Sequence, residues 1–162
     1  MAAAVSENGM DEQSIAEGDN AEGGKDRGMK VVEVGTGKRR EIVDVTELCR
    51  KELGSVHADG VCHLFVLHTT AALTLADLDP GTDLDLLDAF EALVPKLKYR
   101  HPHNPAHVPD HILSALIGTS VSVPVQAGDF LLGVWQRIIL VDLDGPRKRQ
   151  IALSFTPEKS AG

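Results

Sequence analysis

The sequence predicts an α+β domain, a compact subunit with a largely antiparallel or mixed sheet and short helices. Strand-like and helical stretches interleave along the chain without the regular βαβ spacing of a doubly wound fold. Residues 41–45 (Glu-Ile-Val-Asp-Val) alternate polar and apolar side chains at the period of a half-buried strand. The chain has 162 residues, 43 % hydrophobic and 25 % charged, the proportions of one ordinary globular domain.

Residues 1–28 stand apart. They hold seven acids (Glu7, Asp11, Glu12, Glu17, Asp19, Glu22 and Asp26) against Lys25 and Arg27, so most of the formal charge of −8 sits there. With no aromatic and almost no large aliphatic residue, this stretch cannot bury enough apolar surface to offset chain entropy, and it is expected to be a disordered acidic tail. The domain is expected over 29–157, with a flexible C-terminus at 158–162.

Residues 30–34 read as a strand, 35–37 as a turn and 41–45 as a second strand. Residues 46–53 fit a short helix closed by Gly54. The stretches 61–69 and 72–76 are β-rich. Asp79-Pro80-Gly81-Thr82 is a helix entry, and the spacing of Leu84, Leu87, Phe90, Leu93 and Val94 predicts a helix over 83–94 that ends near Pro95. Residues 96–109 form a polar loop rich in proline and histidine. A helix over 110–117 has Asp110 as its expected N-cap and Gly118 as its stop. Strands are expected at 120–125, at 130–142 with a bend at Gly133, and at 150–155.

Composition excludes several classes. A mildly acidic domain lacks the basic surface that phosphate-backbone binding needs, and Arg147-Lys148-Arg149 is too small a cluster to supply it. No apolar run approaches the ~20 residues of a membrane span. No secretory or transit signal is visible at the N-terminus. Cys49 and Cys62 form neither a metal-spaced pair nor a disulfide framework, so both are expected as buried thiols, and the cytoplasm is the expected compartment.

The chemistry-bearing residues cluster in the middle of the chain. Of seven histidines, His68, His101, His103, His107 and His111 lie between 68 and 111. Their spacing matches no zinc-finger pattern, and histidines more often satisfy loops and cores. A group of them on one loop facing a His-Thr-Thr strand end nevertheless suits a zinc-like metal, for which neutral imidazole is a common ligand. His68-Thr69-Thr70 is a polar break after a buried run, fit to carry a proton or to bind an anion. Asp77, Asp79, Asp83, Asp85 and Asp88 could supply a general base or a partner for ligand histidines, with Asp83 and Asp88 read first as a solvated helix face. Trp135, the one tryptophan, ordinarily belongs in a core. Arg147 sits in a turn, as a surface charge or as an anion clamp.

Several ordered motifs together resemble the YjbQ family, also described as secondary thiamine-phosphate synthase. His68-Thr69-Thr70-Ala71-Ala72-Leu73-Thr74 looks like its His-Thr-Thr/Ser-Ala start, and Tyr99-Arg100-His101 like its Tyr-x-His. His111 with Ile112, Ser114, Leu116, Gly118 and Ser120 resembles its next segment. Gly133-Val134-Trp135-Gln136-Arg137-Ile138 and Asp144-Gly145-Pro146-Arg147-Lys148-Arg149 look like its last two. The chain departs from the family pattern at Ala76-Asp77 and Asp110, and carries Asp142 where glutamate is usual. The resemblance implies a homotrimer and a divalent metal, zinc-like, on His68, His101 and His111, with His107 competing for the place of His111. It implies catalytic roles for His68, Asp85 and Arg147, and substrate contacts from Thr69, Thr70, Trp135, Gln136 and Arg147. The activity implied joins a pyrimidine diphosphate to a thiazole phosphate. The alternatives are a metal-assisted hydrolase of a small phosphorylated metabolite and a non-catalytic metal- or metabolite-binding trimer. No nucleic acid or membrane partner is expected.

Overall fold

The computed structural model describes residues 28–54 and 56–158. The expectations for the acidic tail and the C-terminus therefore lie outside the described residues, apart from Gly28 and Glu158. Eight strands and three helices follow in the order β1 (Lys30–Gly35), β2 (Glu41–Asp44), α1 (Thr46–Leu53), β3 (Gly60–Val66), β4 (Ala71–Ala76), α2 (Thr82–Leu93), α3 (Val108–Ile117), β5 (Ser120–Gln126), β6 (Asp129–Phe130), β7 (Arg137–Asp142) and β8 (Lys148–Pro157). A 3-10 turn, Pro105–His107, leads into α3.

Two sheets form, a five-stranded one ordered β1-β8-β3-β5-β6 and a three-stranded one ordered β2-β7-β4. Every strand pairing is antiparallel. The α+β expectation with short helices holds. Leu64, Val66, Val123, Ile151 and Leu153 from the larger sheet pack with Leu73, Ile138 and Leu140 from the smaller, and α1 adds Cys49 and Leu53. The other face of the smaller sheet buries Ala72, Ile139 and Val141 with Leu113 of α3 and Leu86, Leu87 and Phe90 of α2. Strand β7 is thus covered on both faces. Its sequence Arg-Ile-Ile-Leu-Val-Asp reads as a continuous apolar run for that reason.

Two sequence expectations need correction. Residues 130–142 are not one bent strand. A turn separates β6 from β7: the Gln136 N–H donates to the Gly133 carbonyl at 3.0 Å, and the Gln136 side chain accepts from the Gly133 N–H at 2.8 Å. Backbone donors satisfied inside the turn are lost to the sheet ladder. Asp110 is not an N-cap either. Helix α3 starts two residues earlier, with Pro109 in its first turn, where the missing N–H costs nothing. Asp110 is wholly buried, and its carboxylate is paired with Arg39 at 3.1 Å and Arg40 at 2.7 Å.

Candidate functional site

Strand β3 ends at Val66, and the chain crosses to β4 through Leu67, His68, Thr69 and Thr70. This crossing lies against α3, which packs on β4. A cleft opens between them, lined among others by Phe65, His68, Thr69, His111, Ser114 and Thr119.

Backbone groups hold the histidines and Ser114 here. The Gln150 N–H of β8 donates to His68 Nε2 at 2.8 Å. His111 Nδ1 lies 3.0 Å from the Thr69 carbonyl, an acceptor, so this nitrogen carries the proton and Nε2 keeps its lone pair. Ser114 donates to the Ala71 carbonyl at 2.6 Å. The His101 ring stacks on His111, with centroids 5.6 Å apart and planes 11° apart. His101 Nδ1 also accepts the Asn104 N–H at 3.4 Å.

The layer beneath is ionic. Arg149 on β8 is 1 % exposed and Asp142 at the end of β7 is 0 %. They form an ion pair, and the same guanidinium donates to the Thr70 hydroxyl at 3.1 Å and to its carbonyl at 3.4 Å. Asp142 also accepts the Thr36 hydroxyl and, at 3.0 Å, the Asp144 N–H. Asp144 in turn holds Arg147 at 2.9 Å, with His107 3.9 Å away. Burial, with Arg149 and Arg147 nearby, pushes the His68 pKa below its ordinary value, against a weaker pull from Asp142. His68 is therefore neutral at pH 7. Since Nε2 accepts, its single proton sits on Nδ1.

Among the sequence candidates, His68, Thr69 and His111 share the cleft, and His101 joins it through His111. Thr70 and Arg147 belong to the ionic layer. Asp85 does not join them: it sits exposed in the first turn of α2, away from the cleft lining. Trp135 and Gln136 lie exposed in the β6–β7 turn of the same chain, Trp135 at 67 %, so the core expectation for tryptophan fails. Arg149 was hidden in a cluster that reads as surface charge. The signal that exposes it is its alternation with Ile151 and Leu153, which puts all three on the buried face of β8.

The three expected metal ligands do not fit a metal within one chain as they stand. His111 presents a free lone pair, while those of His68 Nε2 and His101 Nδ1 are taken by backbone N–H groups. Among the described residues, no three histidine, cysteine or acidic side chains converge at ligating distance.

The family model described as UPF0047 protein YjbQ-like matches residues 30–158. The chain belongs to this family. The UPF0047 protein Rv2556c of Mycobacterium tuberculosis is 45 % identical over 129 residues, covering 77 % of this chain and 95 % of the relative. The UPF0047 protein YugU of Bacillus subtilis is 32 % identical over 125 residues, covering 75 % and 93 %. The crystal structure of a hypothetical protein from Aeropyrum pernix superposes with a TM-score of 0.74 at 31 % identity, covering 81 % of this chain and 99 % of that one. A YbjQ-like protein of unknown function from Sulfolobus solfataricus gives a TM-score of 0.74 at 29 % identity, covering 80 % and 96 %. The resemblance read from the motifs thus holds over the whole YjbQ-like domain, with its fold. Among the described residues no helix is long and apolar enough to cross a membrane.

Proposed function

We propose that this YjbQ-like chain is an enzyme acting on small phosphorylated metabolites, in the manner of a thiamine-phosphate synthase. The observation that carries the reading is a neutral imidazole, His68, held by a backbone N–H in a cleft it shares with His111, beside Arg147 and above the Arg149–Asp142 pair. In the reaction, the thiazole nitrogen attacks the methylene carbon of the pyrimidine diphosphate. The C–N bond forms, the C–O bond breaks, and its electron pair leaves with the diphosphate. The needed catalyst is a set of fixed donors for a departing polyanion, placed before the charge develops. Arg147 supplies a cation half open to solvent, and His68 Nδ1–H supplies a neutral donor. The Thr69 hydroxyl completes the set. None of these requires the metal that the resemblance implies.

The reading includes a homotrimer. In a single chain the outer face of the five-stranded sheet leaves Val31 50 % and Phe65 48 % exposed, and the β6–β7 turn leaves Val134 80 % exposed. Val31 and Phe65 adjoin, each opposite Ala152, and contiguous apolar surface on a folded domain marks an association face. A neighbouring copy on that face gives Trp135 and Gln136 a place near a cleft that their own chain does not give them.

The test is a turnover assay with a pyrimidine diphosphate and a thiazole phosphate. Product should form with the intact chain and fall by about 10²–10³ in kcat for Arg147→Ala, the usual loss on removing one stabilising donor. His68→Gln should fall similarly. Stoichiometric pyrophosphate binding without any product would overturn the enzyme reading in favour of a metabolite-binding protein. Light scattering should give three times the chain mass; a monomer at all concentrations would sink the trimer.

A further inference from the structure

A second cavity, of about 550 Å³, lies between Arg40 just before β2, the end of α2, the loop after it and α3. It shares no lining residue with the histidine cleft. Its volume is in the range of small-molecule sites, roughly 300–1,000 Å³. Val94, Tyr99 and Leu113 give it an apolar wall. Its charged lining is unbalanced, with Arg40, Lys96 and Lys98 against Glu91 alone.

Arg40 stands out chemically. Its Nη1 donates to Glu91 at 3.0 Å and its Nη2 to Asp110 at 2.7 Å. Its Nε–H is buried and, among the described residues, has no acceptor. A buried charged donor without an acceptor is costly, so the two carboxylates that Arg40 meets leave its guanidinium only partly matched. Asp110 divides its carboxylate between Arg39 and Arg40, one oxygen to each. The exposed Lys96 and Lys98 on the cavity rim carry the charge that an anionic headgroup would meet, and the apolar wall beside them sets what that headgroup is attached to.

We propose that this cavity binds an anionic amphiphile. A carboxylate or phosphate group lies at Arg40 with Lys96 and Lys98, and an aliphatic or aromatic body lies against Val94, Tyr99 and Leu113. The site is independent of the reaction proposed for the histidine cleft.

The test is calorimetric titration of the full chain with octanoate, octyl phosphate and octylamine, which share one tail and differ in headgroup. At least one of the two anions should saturate the site, with octylamine weaker by about tenfold or more. The tighter anion assigns the headgroup. Ala106→Trp fills the cavity from its rim, and Lys96→Gln with Lys98→Gln removes charge while leaving the Arg40–Asp110 pair alone. Each variant should weaken the anion by roughly tenfold, with an unchanged circular dichroism spectrum. Octylamine binding as tightly as the anions, undiminished binding by Ala106→Trp, or no saturable binding of either anion would overturn the proposal.

Discussion

Arg149 and Asp142 form an ion pair sealed from solvent directly behind the His68–Thr70 crossing, and the same guanidinium reaches the hydroxyl and carbonyl of Thr70. The two residues come from interior strands of different sheets, β8 and β7. The pair therefore ties the two sheets together at the point where the cleft opens.

Breaking this pair from one side leaves a buried charge unmatched. Arg149→Met is expected to cost about 3–5 kcal/mol of stability, because Asp142 then stays buried without its partner. Replacing both, with Arg149→Met and Asp142→Leu, should recover much of that loss. Urea denaturation of the two variants measures it. A single variant as stable as the parent would show that the pair contributes nothing.

The backbone around the pair leaves no room for a side chain at Gly145. A Cβ there would lie 2.3 Å from the Lys38 carbonyl oxygen, 2.8 Å from Asp142 and 2.9 Å from the Thr36 hydroxyl. Gly145→Ala is expected to destabilise by roughly 1–3 kcal/mol through overpacking. The strain falls on Asp142 and Thr36, so pyrophosphate affinity should drop as well. Thermal melting and titration together check this, and an unchanged melting temperature would contradict it.

The two thiols predict an alkaline limb. Burial, with Cys62, Asp44 and Glu52 adding to it, pushes the Cys49 pKa up to about 12, and burial pushes Cys62 to about 11. An unfolded cysteine titrates near about 8.5. As the pH rises past that value, the unfolded chain releases both protons while the folded chain keeps them. Stability is thus full below about pH 8.5 and declines toward pH 11–12. Melting temperatures from neutral pH to about pH 10 should fall less steeply for Cys49→Ala with Cys62→Ala. Native thiols should also resist alkylation at neutral pH; rapid labelling would place them at the surface.

Metal removal separates the two readings of the histidines. With the lone pairs of His68 Nε2 and His101 Nδ1 taken by backbone donors, chelation is expected to leave pyrophosphate affinity and melting temperature unchanged. Loss of affinity on chelation, restored by zinc but absent in His111→Ala, would make His111 a ligand and overturn the metal-free reading.

Local pattern was enough to locate the elements. Alternation marked β2, helical spacing marked α2, and Thr46 to Leu53 formed the helix its composition predicts. The ordered motifs determined the family and with it the fold. They also pointed to His68, Thr69 and His111, because a polar break after an apolar strand is visible one residue at a time. What those residues are bonded to follows from contacts between distant segments. Whether an imidazole nitrogen is free depends on a backbone N–H eighty-two positions away, from Gln150 to His68, and no local pattern records that. The same holds for Arg149, a charge in a basic cluster until strand pairing turns it inward. It holds for Asp85 and Trp135 as well. Residue type made them candidates, and the paths of α2 and the β6–β7 turn set them apart from the cleft of their own chain. Local pattern is fixed by side-chain period and turn chemistry, whereas hydrogen-bond partners and burial are properties of contacts between segments distant in sequence.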